Sequence, residues 1–380
     1  MRWAFIRPDA LTVWRNPDVR RRLGWYRLVM SDKAPARFLL ARLVPVEYDP
    51  RDTLERLLEI HNKNIGKITK LANETIEDRA TAKRLMREAL NVAPGEENLL
   101  DLKARIAYIL AARGMLCERK CGIDRRTGRI PPCRTGWHPV VHSWFLHLGE
   151  EAPLVPSGTI FYGGCNFTCV YCQNWDISQT NPRDGLAIET PQQLAAIQEE
   201  LREKGAKNIN HVGGEPTPNL HYIIDSFRHL KVNVPQIWNS NMYMSMEAAM
   251  LLAGIIDLWL PDFKYGNNRC AFRLSAVPKY WETVTRNLLI ASRHGGDMII
   301  RHLVLPGHIE CCTRPVLGWI SENLQQDKIM VNIMGQYRPE HLVRRYPERW
   351  PELDRYISYM EMVEIRKLAG RLGLSWEPVS

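Results

Sequence analysis

Gly158-Thr159-Ile160-Phe161-Tyr162, followed at once by Gly163-Gly164-Cys165-Asn166-Phe167-Thr168-Cys169-Val170-Tyr171-Cys172-Gln173-Asn174, reads as a short apolar strand that opens into a loop carrying three cysteines. Spaced by three and then two residues, cysteines on a loop can turn their thiolates toward one centre. As an iron-sulfur site the trio offers three ligands for four irons and leaves one iron without a protein ligand. Structural zinc sites and ordinary electron-transfer clusters are instead closed by four protein ligands. An iron left open can chelate a substrate or cofactor directly. On the loop alone two other readings stay open: a zinc site completed by a further residue, and three buried thiols.

Outward from this stretch, residues 158–380 alternate between short apolar strands and helices with recognisable ends. Thr190 is placed to cap a helix with Pro191 in its first turn, an apolar face of Leu194, Ile197 and Leu201, and a stop at Gly205. Further strands are expected at 208–212, 236–240, 256–260, 298–305 and 329–334, each followed by a helical pattern, the last of them long and near 352–369. Six β-then-α units predict a parallel sheet with crossover helices, because parallel neighbours cannot be joined by a tight hairpin. Loops after the carboxyl ends of the strands then carry the chemistry.

Those strand ends bear polar groups. The second ends in His211-Val212-Gly213-Gly214-Glu215-Pro216, where paired glycines permit close backbone approach and a carboxylate can accept from an ammonium group. Asn239 and Asn241 follow the third, Asp262 and Lys264 the fourth, Arg301 and His302 lie on the fifth, and Asn332 and Gln336 end the sixth. Polar residues recurring along one rim favour a shared pocket.

The rest of the chain differs. Of 380 residues 45% are hydrophobic and 24% charged, the balance of a globular chain. No run reaches the ~18 apolar residues of a membrane span, and the N-terminus lacks a secretory signal, so a cytoplasmic protein is expected. Residues 1–150 hold 28 Lys and Arg against 18 Asp and Glu, so the net charge of +9 is concentrated there. A basic lobe suits an acidic partner, protein or nucleic acid, or simply a solvated surface. Arg20, Arg21, Arg22, Trp14, Trp25 and Tyr26 mark its start, and helical patterns follow near 52–72, 76–92 and 97–113. Nine cysteines in such a chain point to metal or catalytic chemistry before disulfides. The expected organisation is a mainly helical basic lobe (1–115), a cysteine-containing linker (116–157) and the α/β domain (158–380).

The cysteine loop with Tyr171 before its last cysteine, together with the Gly-Gly-Glu-Pro element, resembles the signature of the radical S-adenosylmethionine (SAM) superfamily. Ser157-Gly158-Thr159-Ile160-Phe161, Pro261-Asp262-Phe263-Lys264-Tyr265, Arg301-His302-Leu303-Val304-Leu305-Pro306-Gly307 and Asn332-Ile333-Met334-Gly335-Gln336-Tyr337 are similar to PflX-type members, distant relatives of the pyruvate formate-lyase activating enzyme. The resemblance implies a partial (β/α)6 TIM-like barrel with a [4Fe-4S] cluster on Cys165, Cys169 and Cys172. It further implies SAM held by Gly213, Gly214, Glu215 and Pro216, with Asn239 nearby and Tyr171 against the adenine. Arg301 would approach the SAM carboxylate or the substrate, and Asp262 and Lys264 would take the place of an Asp-x-Lys element near the reacting centre.

Relatives of this type often carry a further cysteine cluster before the barrel. Here Cys117, Cys121 and Cys133 remain of it, with Gly114 in place of one thiol. A Cys3His zinc site completed by His138 or His142, an auxiliary cluster and metal-free thiols all stay open. Cys311 and Cys312, being adjacent, are expected to be ordinary buried thiols. The implied activity is reductive cleavage of SAM and hydrogen abstraction from a partner, foremost a polypeptide glycine, with a low-potential electron donor. RNA modification through the basic lobe and a non-catalytic iron-sulfur or zinc protein are the other readings.

Overall fold

The computed structural model describes residues 3–95 and 97–380. Its centre is an eight-stranded sheet: β1 (Val140–His147), β2 (Ser157–Tyr162), β3 (Leu186–Ala187), β4 (Ile209–Gly213), β5 (Gln236–Ser240), β6 (Leu258–Pro261), β7 (Asp297–Leu303) and β8 (Ile329–Met334). The order is β3-β1-β2-β4-β5-β6-β7-β8. From β2 to β8 every pairing is parallel, so all six carboxyl ends face the same way. The chain is thus an α/β fold with a mainly parallel sheet, entered through a helical N-terminal region.

Local signals explain the helices. The helix Pro191–Glu203 starts at a capping box between Thr190 and Gln193, and Ser245 caps Met246–Leu252. The three N-terminal patterns become Leu54–Glu77, Arg79–Asn91 and Leu99–Ala112. The expected helix near 352–369 is shorter and later, Tyr359–Arg371, because Pro347 and Pro351 impose tight turns ahead of it and Ser358 supplies the cap.

Two of the elements that went unread shape the site. Strand β1 pairs antiparallel with β2, Leu146 opposite Gly158, so residues 116–157 are not merely a linker but supply one side of the sheet. The short helix Asn268–Ser275, capped by Asn267, lies inside what read as loop.

Along each strand alternate residues face the concave side. Near its base that side is apolar: Ile237, Leu258, Leu260, Ile299 and Met330 pack against Val19, Leu23 and Tyr26 from the N-terminal helices. Two residues further along, the same face presents Asn239, Asp262, Arg301 and Asn332. The N-terminal helices therefore stopper the amino ends of the strands and leave the carboxyl ends open.

Side-chain bonds fasten this stopper. Trp25 Nε1 donates to Asp257 Oδ1 at 2.8 Å, the Arg37 amide donates to the same oxygen at 2.9 Å, and the Tyr26 amide donates to Asp297 Oδ2 at 2.7 Å. Trp25 and Tyr26 are both buried in this packing. One apolar cluster runs from Trp25 and Phe38 through Ile223 to Leu374, so the N-terminal helices share their core with the sheet. Among the described residues no helix is long and apolar enough to cross a membrane.

Candidate active site

The cysteine loop has no regular structure and takes its shape from its neighbours. The Cys165 amide donates to Cys133 O at 3.1 Å, while the Thr168 and Val170 amides donate to Ser275 O and Leu274 O at 3.1 and 2.9 Å. Each thiol meets a donor: Ser275 Oγ lies 2.9 Å from Cys169 Sγ, the Phe167 amide 3.3 Å from Cys165 Sγ, and Ser178 Oγ 3.4 Å from Cys172 Sγ. Burial, then Glu215 and the other thiols, pushes the Cys165 thiol well up; burial and Cys172 push Cys169 up to about 11. Such thiols are neutral until an electrophilic metal displaces their protons.

The glycine pair belongs to the same construction. Gly213 adopts φ +111°, and a Cβ there would lie 2.1 Å from the Tyr162 amide nitrogen; one on Gly214 would lie 2.0 Å from Gly164 O. Only glycine lets β4 come this close to β2 and to the cysteine loop. These residues were expected to free backbone for a ligand, and the backbone they first admit is the loop itself.

Glu215 is 2% exposed, and its carboxylate is already well supplied. Oε1 accepts from Thr217 Oγ1 at 2.5 Å, Ser240 Oγ at 2.6 Å and the Thr217 amide at 3.1 Å; Oε2 accepts from the Asn241 amide at 2.9 Å. Burial raises its carboxyl above the usual range, against the pull of these donors. The side chain is a strut between the ends of β4 and β5 that keeps acceptor capacity on Oε2.

These residues open on one cavity of 680 Å³ at the carboxyl ends of the strands, within the usual range for small-molecule sites. It brings together Cys165, Cys169, Cys172, Tyr171, Gly213, Gly214, Glu215, Asn239, Asp262, Lys264 and Arg301 of the expected set. Pro216 does not line it; it begins the turn Thr217–Asn219. Lys264 Nζ donates to Asp262 Oδ2 at 2.6 Å. Burial works to lower the Lys264 pKa, but Asp262 and the Cys169 thiol outweigh it, so the ammonium is held firmly charged beside the cysteines.

Arg301 departs from expectation. Its guanidinium grips Glu151, Nε to Oε1 at 2.7 Å and Nη2 to Oε2 at 2.7 Å, and also pairs with Glu150. Asn332 Nδ2 donates to Glu151 Oε1 at 2.7 Å, and Asn210 Nδ2 to Glu150 Oε1 at 2.9 Å. The segment around Glu150 thus crosses the concave face from β4 to β8. Sequence reading missed both glutamates, since they fall in the supposed linker and no motif marks them.

The other cysteines are rearranged relative to expectation. Cys117, Cys121 and Cys133 line a small apolar hollow with Leu116, Ile123 and Pro131, and burial with the neighbouring thiols pushes Cys117 up to about 12. The expected fourth ligands do not join them: His138 Nδ1 bonds Tyr222 Oη at 2.7 Å, and His142 Nε2 lies near Gly163. Among the described residues one group of three or more Cys, His, Asp or Glu has all its donor atoms within 4.8 Å of one another, and it is Cys270, His308, Cys311 and Cys312. The adjacent pair read as ordinary thiols is part of it.

The profile of the radical SAM superfamily matches residues 159–320. The uncharacterized protein MJ0674 of Methanocaldococcus jannaschii is 40% identical over 362 residues, covering 93% of this chain and 98% of that one. A second protein of that organism, the uncharacterized MJ0808, is 22% identical over 233 residues, 60% of this chain and 63% of its own. Among solved structures, SuiB of Streptococcus suis bound to precursor peptide SuiA shares 14% identity over 54% of this chain and 43% of that chain, at a TM-score of 0.39, a partial overlap from which no substrate follows. With the superfamily profile covering most of β2 and all of β4 to β7, and a relative 40% identical over 93% of this chain, the chain belongs to the radical SAM superfamily.

Proposed function

We propose that this radical SAM enzyme binds its [4Fe-4S] cluster through Cys165, Cys169 and Cys172, seats SAM along Gly213, Gly214 and Glu215, and removes a hydrogen atom from a polypeptide, as glycyl-radical activases do. One observation carries the reading: three thiols, those of Cys165 and Cys169 buried and that of Cys172 half-buried, each with a hydroxyl or amide partner, a glycine pair that only glycine could form and an ammonium held charged beside the thiols all face a single cavity. The donor set fits the group, because three thiolates leave one iron corner for the amino and carboxylate groups of SAM. When bound, a reduced cluster would supply the electron for reductive cleavage of SAM, and with it the means of hydrogen abstraction.

The chain's own residues position and shield. Ser275, Ser178 and the Phe167 amide hold the thiolates in place and stabilise their charge. Oε2 of Glu215, on its strut of Thr217 and Ser240, is the acceptor offered to the methionine ammonium. Lys264 keeps a fixed positive charge on the cysteine side of the cavity, and Asp262 fixes the direction of its ammonium. Tyr171, its hydroxyl 2.7 Å from that of Tyr265, gives the wall a flat apolar face suited to adenine. Arg301 is a positioning residue that binds the Glu150 segment across the concave side, which narrows the cavity and keeps bulk water from it. The polypeptide substrate rests on the resemblance to PflX-type proteins.

The test is anaerobic reconstitution followed by reduction with SAM present. Formation of 5′-deoxyadenosine that is abolished in Cys169→Ala supports the reading; no product from fully clustered protein overturns it. Deuterium passing into 5′-deoxyadenosine from a glycine-deuterated partner protein, and not from labelled RNA, supports the polypeptide substrate.

A further inference from the structure

Cys270, His308, Cys311 and Cys312 come from two neighbouring carboxyl-end loops, those after β6 and β7, and meet in a tight tetrahedron of donors. Cys270 Sγ and Cys311 Sγ are 3.7 Å apart, and Cys311 Sγ and Cys312 Sγ 3.9 Å. His308 Nδ1 lies 3.6, 3.2 and 3.9 Å from the sulfurs of Cys270, Cys311 and Cys312. A tetrahedral zinc ion with Zn–S of about 2.3 Å and Zn–N of about 2.0 Å requires edges of roughly 3.8 Å between sulfurs and roughly 3.5 Å between sulfur and nitrogen. The five separations above lie within about 0.4 Å of these edges, and all four donors lie within 4.8 Å of one another. They are too close together for the corners of an iron-sulfur cube.

The backbone is shaped to this end. Asn267 caps the helix Asn268–Ser275 by accepting from the Cys270 amide at 2.8 Å, which places Cys270 in its first turn, and its Nδ2 donates to Cys311 O at 2.7 Å. Residues Ile309–Thr313 form a π-helical turn, whose extra residue per turn re-aims side chains. That is how two adjacent cysteines both reach one point. Gly266 lies so close to this turn that a Cβ would meet Cys311 O at 2.6 Å. Behind the imidazole, Glu352 Oε1 is 3.5 Å from His308 Nε2 and also pairs with Arg273. A carboxylate behind a ligating histidine is the usual outer partner at zinc sites.

We propose that these four side chains bind one zinc ion as a closed Cys3His site that clamps the loop after β6 to the loop after β7. Four protein donors leave no position for substrate, so the ion is structural. Its reach extends to the active cavity through one short helix: Cys270 stands at the start of Asn268–Ser275 and Ser275, the donor to Cys169, at its end. Zinc thereby steadies the hydroxyl that faces a cluster thiol. The assignment stands on its own donors and does not depend on what the cavity catalyses.

Metal analysis and zinc-edge X-ray absorption of the full-length protein, purified anaerobically without added zinc, test it. The expected result is about one zinc per chain, a shell of three sulfurs at about 2.3 Å and one nitrogen at about 2.0 Å, and zinc content unchanged in Cys117→Ser and in Cys165→Ala. In Cys311→Ser and His308→Ala zinc should fall at least fivefold. Zinc-free wild-type protein, a Cys270 to Cys311 disulfide, metal-metal scattering at this site, or zinc lost from Cys117→Ser but kept in Cys311→Ser would each overturn the proposal. Should Cys311→Ser fail to fold, the absorption spectrum of Cys117→Ser decides, because that variant takes one thiol from the Cys117, Cys121 and Cys133 hollow, the competing place for a zinc ion.

Discussion

The hydroxyl of Ser275 lies 2.9 Å from the sulfur of Cys169, although 106 residues separate them. Hydrogen bonds to cluster sulfurs help set the reduction potential, because they stabilise the more negatively charged, reduced form. Ser275→Ala is therefore expected to assemble its cluster, shift its potential to more negative values and, with a reductant too weak to reduce it fully, slow SAM cleavage roughly tenfold by lowering the reduced fraction, the effect of ~1.4 kcal/mol. Ser275→Thr, which keeps the donor, should recover most of the rate. A redox titration followed by electron paramagnetic resonance checks the first effect, and 5′-deoxyadenosine formation the second.

Gly214→Ala tests the contact between β4 and the cysteine loop. Its Cβ would sit 2.0 Å from Gly164 O, a backbone atom that cannot turn aside. The loop must shift, and iron content after reconstitution is expected to fall at least severalfold while far-ultraviolet circular dichroism stays close to wild type. Full iron loading in this variant would show that the close approach is dispensable.

Removing Arg301 should be costly for a different reason. Glu150 and Glu151 are buried, and Arg301 holds both. Truncating one member of a buried ion pair leaves uncompensated charge and costs about 3–5 kcal/mol. Arg301→Met is expected to lose that much in urea unfolding, and adding Glu151→Gln should recover part of it. If Arg301→Met is as stable as wild type, the Glu150 segment is held by other means.

Stability should also depend on pH through the basal stopper. Burial raises Asp257 to about 6 and Asp297 to about 7. An unfolded aspartate titrates near ~3.9, so between about pH 4 and 7 the folded chain holds protons that the unfolded chain has released. This contribution is fully present below pH 4 and is lost as pH rises toward 7. Asp297→Asn keeps an acceptor for the Tyr26 amide without the charge, and should gain on the order of 2–4 kcal/mol over wild type at pH 8 while matching it at pH 4.5. Urea unfolding at the two pH values reads the difference.

How far the chain could be read depended on whether a feature was local. The helix from Pro191 was legible because Thr190, Pro191 and Gln193 act within one turn, and β5 and β8 because apolar runs between turn signals leave little choice. Strand β1 was not, since Ser143, Trp144 and Leu146 are only half-buried and the strand has no clean alternation. The helix Asn268–Ser275 hid behind a polar start, Asn267-Asn268-Arg269, whose capping role shows only once Asn267 has a partner in Cys311 O. The convergence of Cys311 and Cys312 on Cys270 and His308 was not read, because adjacent side chains diverge in an ordinary turn and a π-helical turn is not announced by composition.

For the site the division is the same. Short-range spacing singled out Cys165, Cys169 and Cys172 and the Gly213-Gly214-Glu215 element as candidates, because both are runs of neighbouring residues, while the roles proposed for them came from the family resemblance. Tertiary structure alone decided that Glu150 and Glu151 take Arg301, that Ser275 faces Cys169, and that Cys270 joins His308 and the Cys311-Cys312 pair. Each of these contacts spans from 38 to 151 residues of chain, and only the folding of a parallel sheet, which brings all its carboxyl ends to one side, makes such distant side chains neighbours.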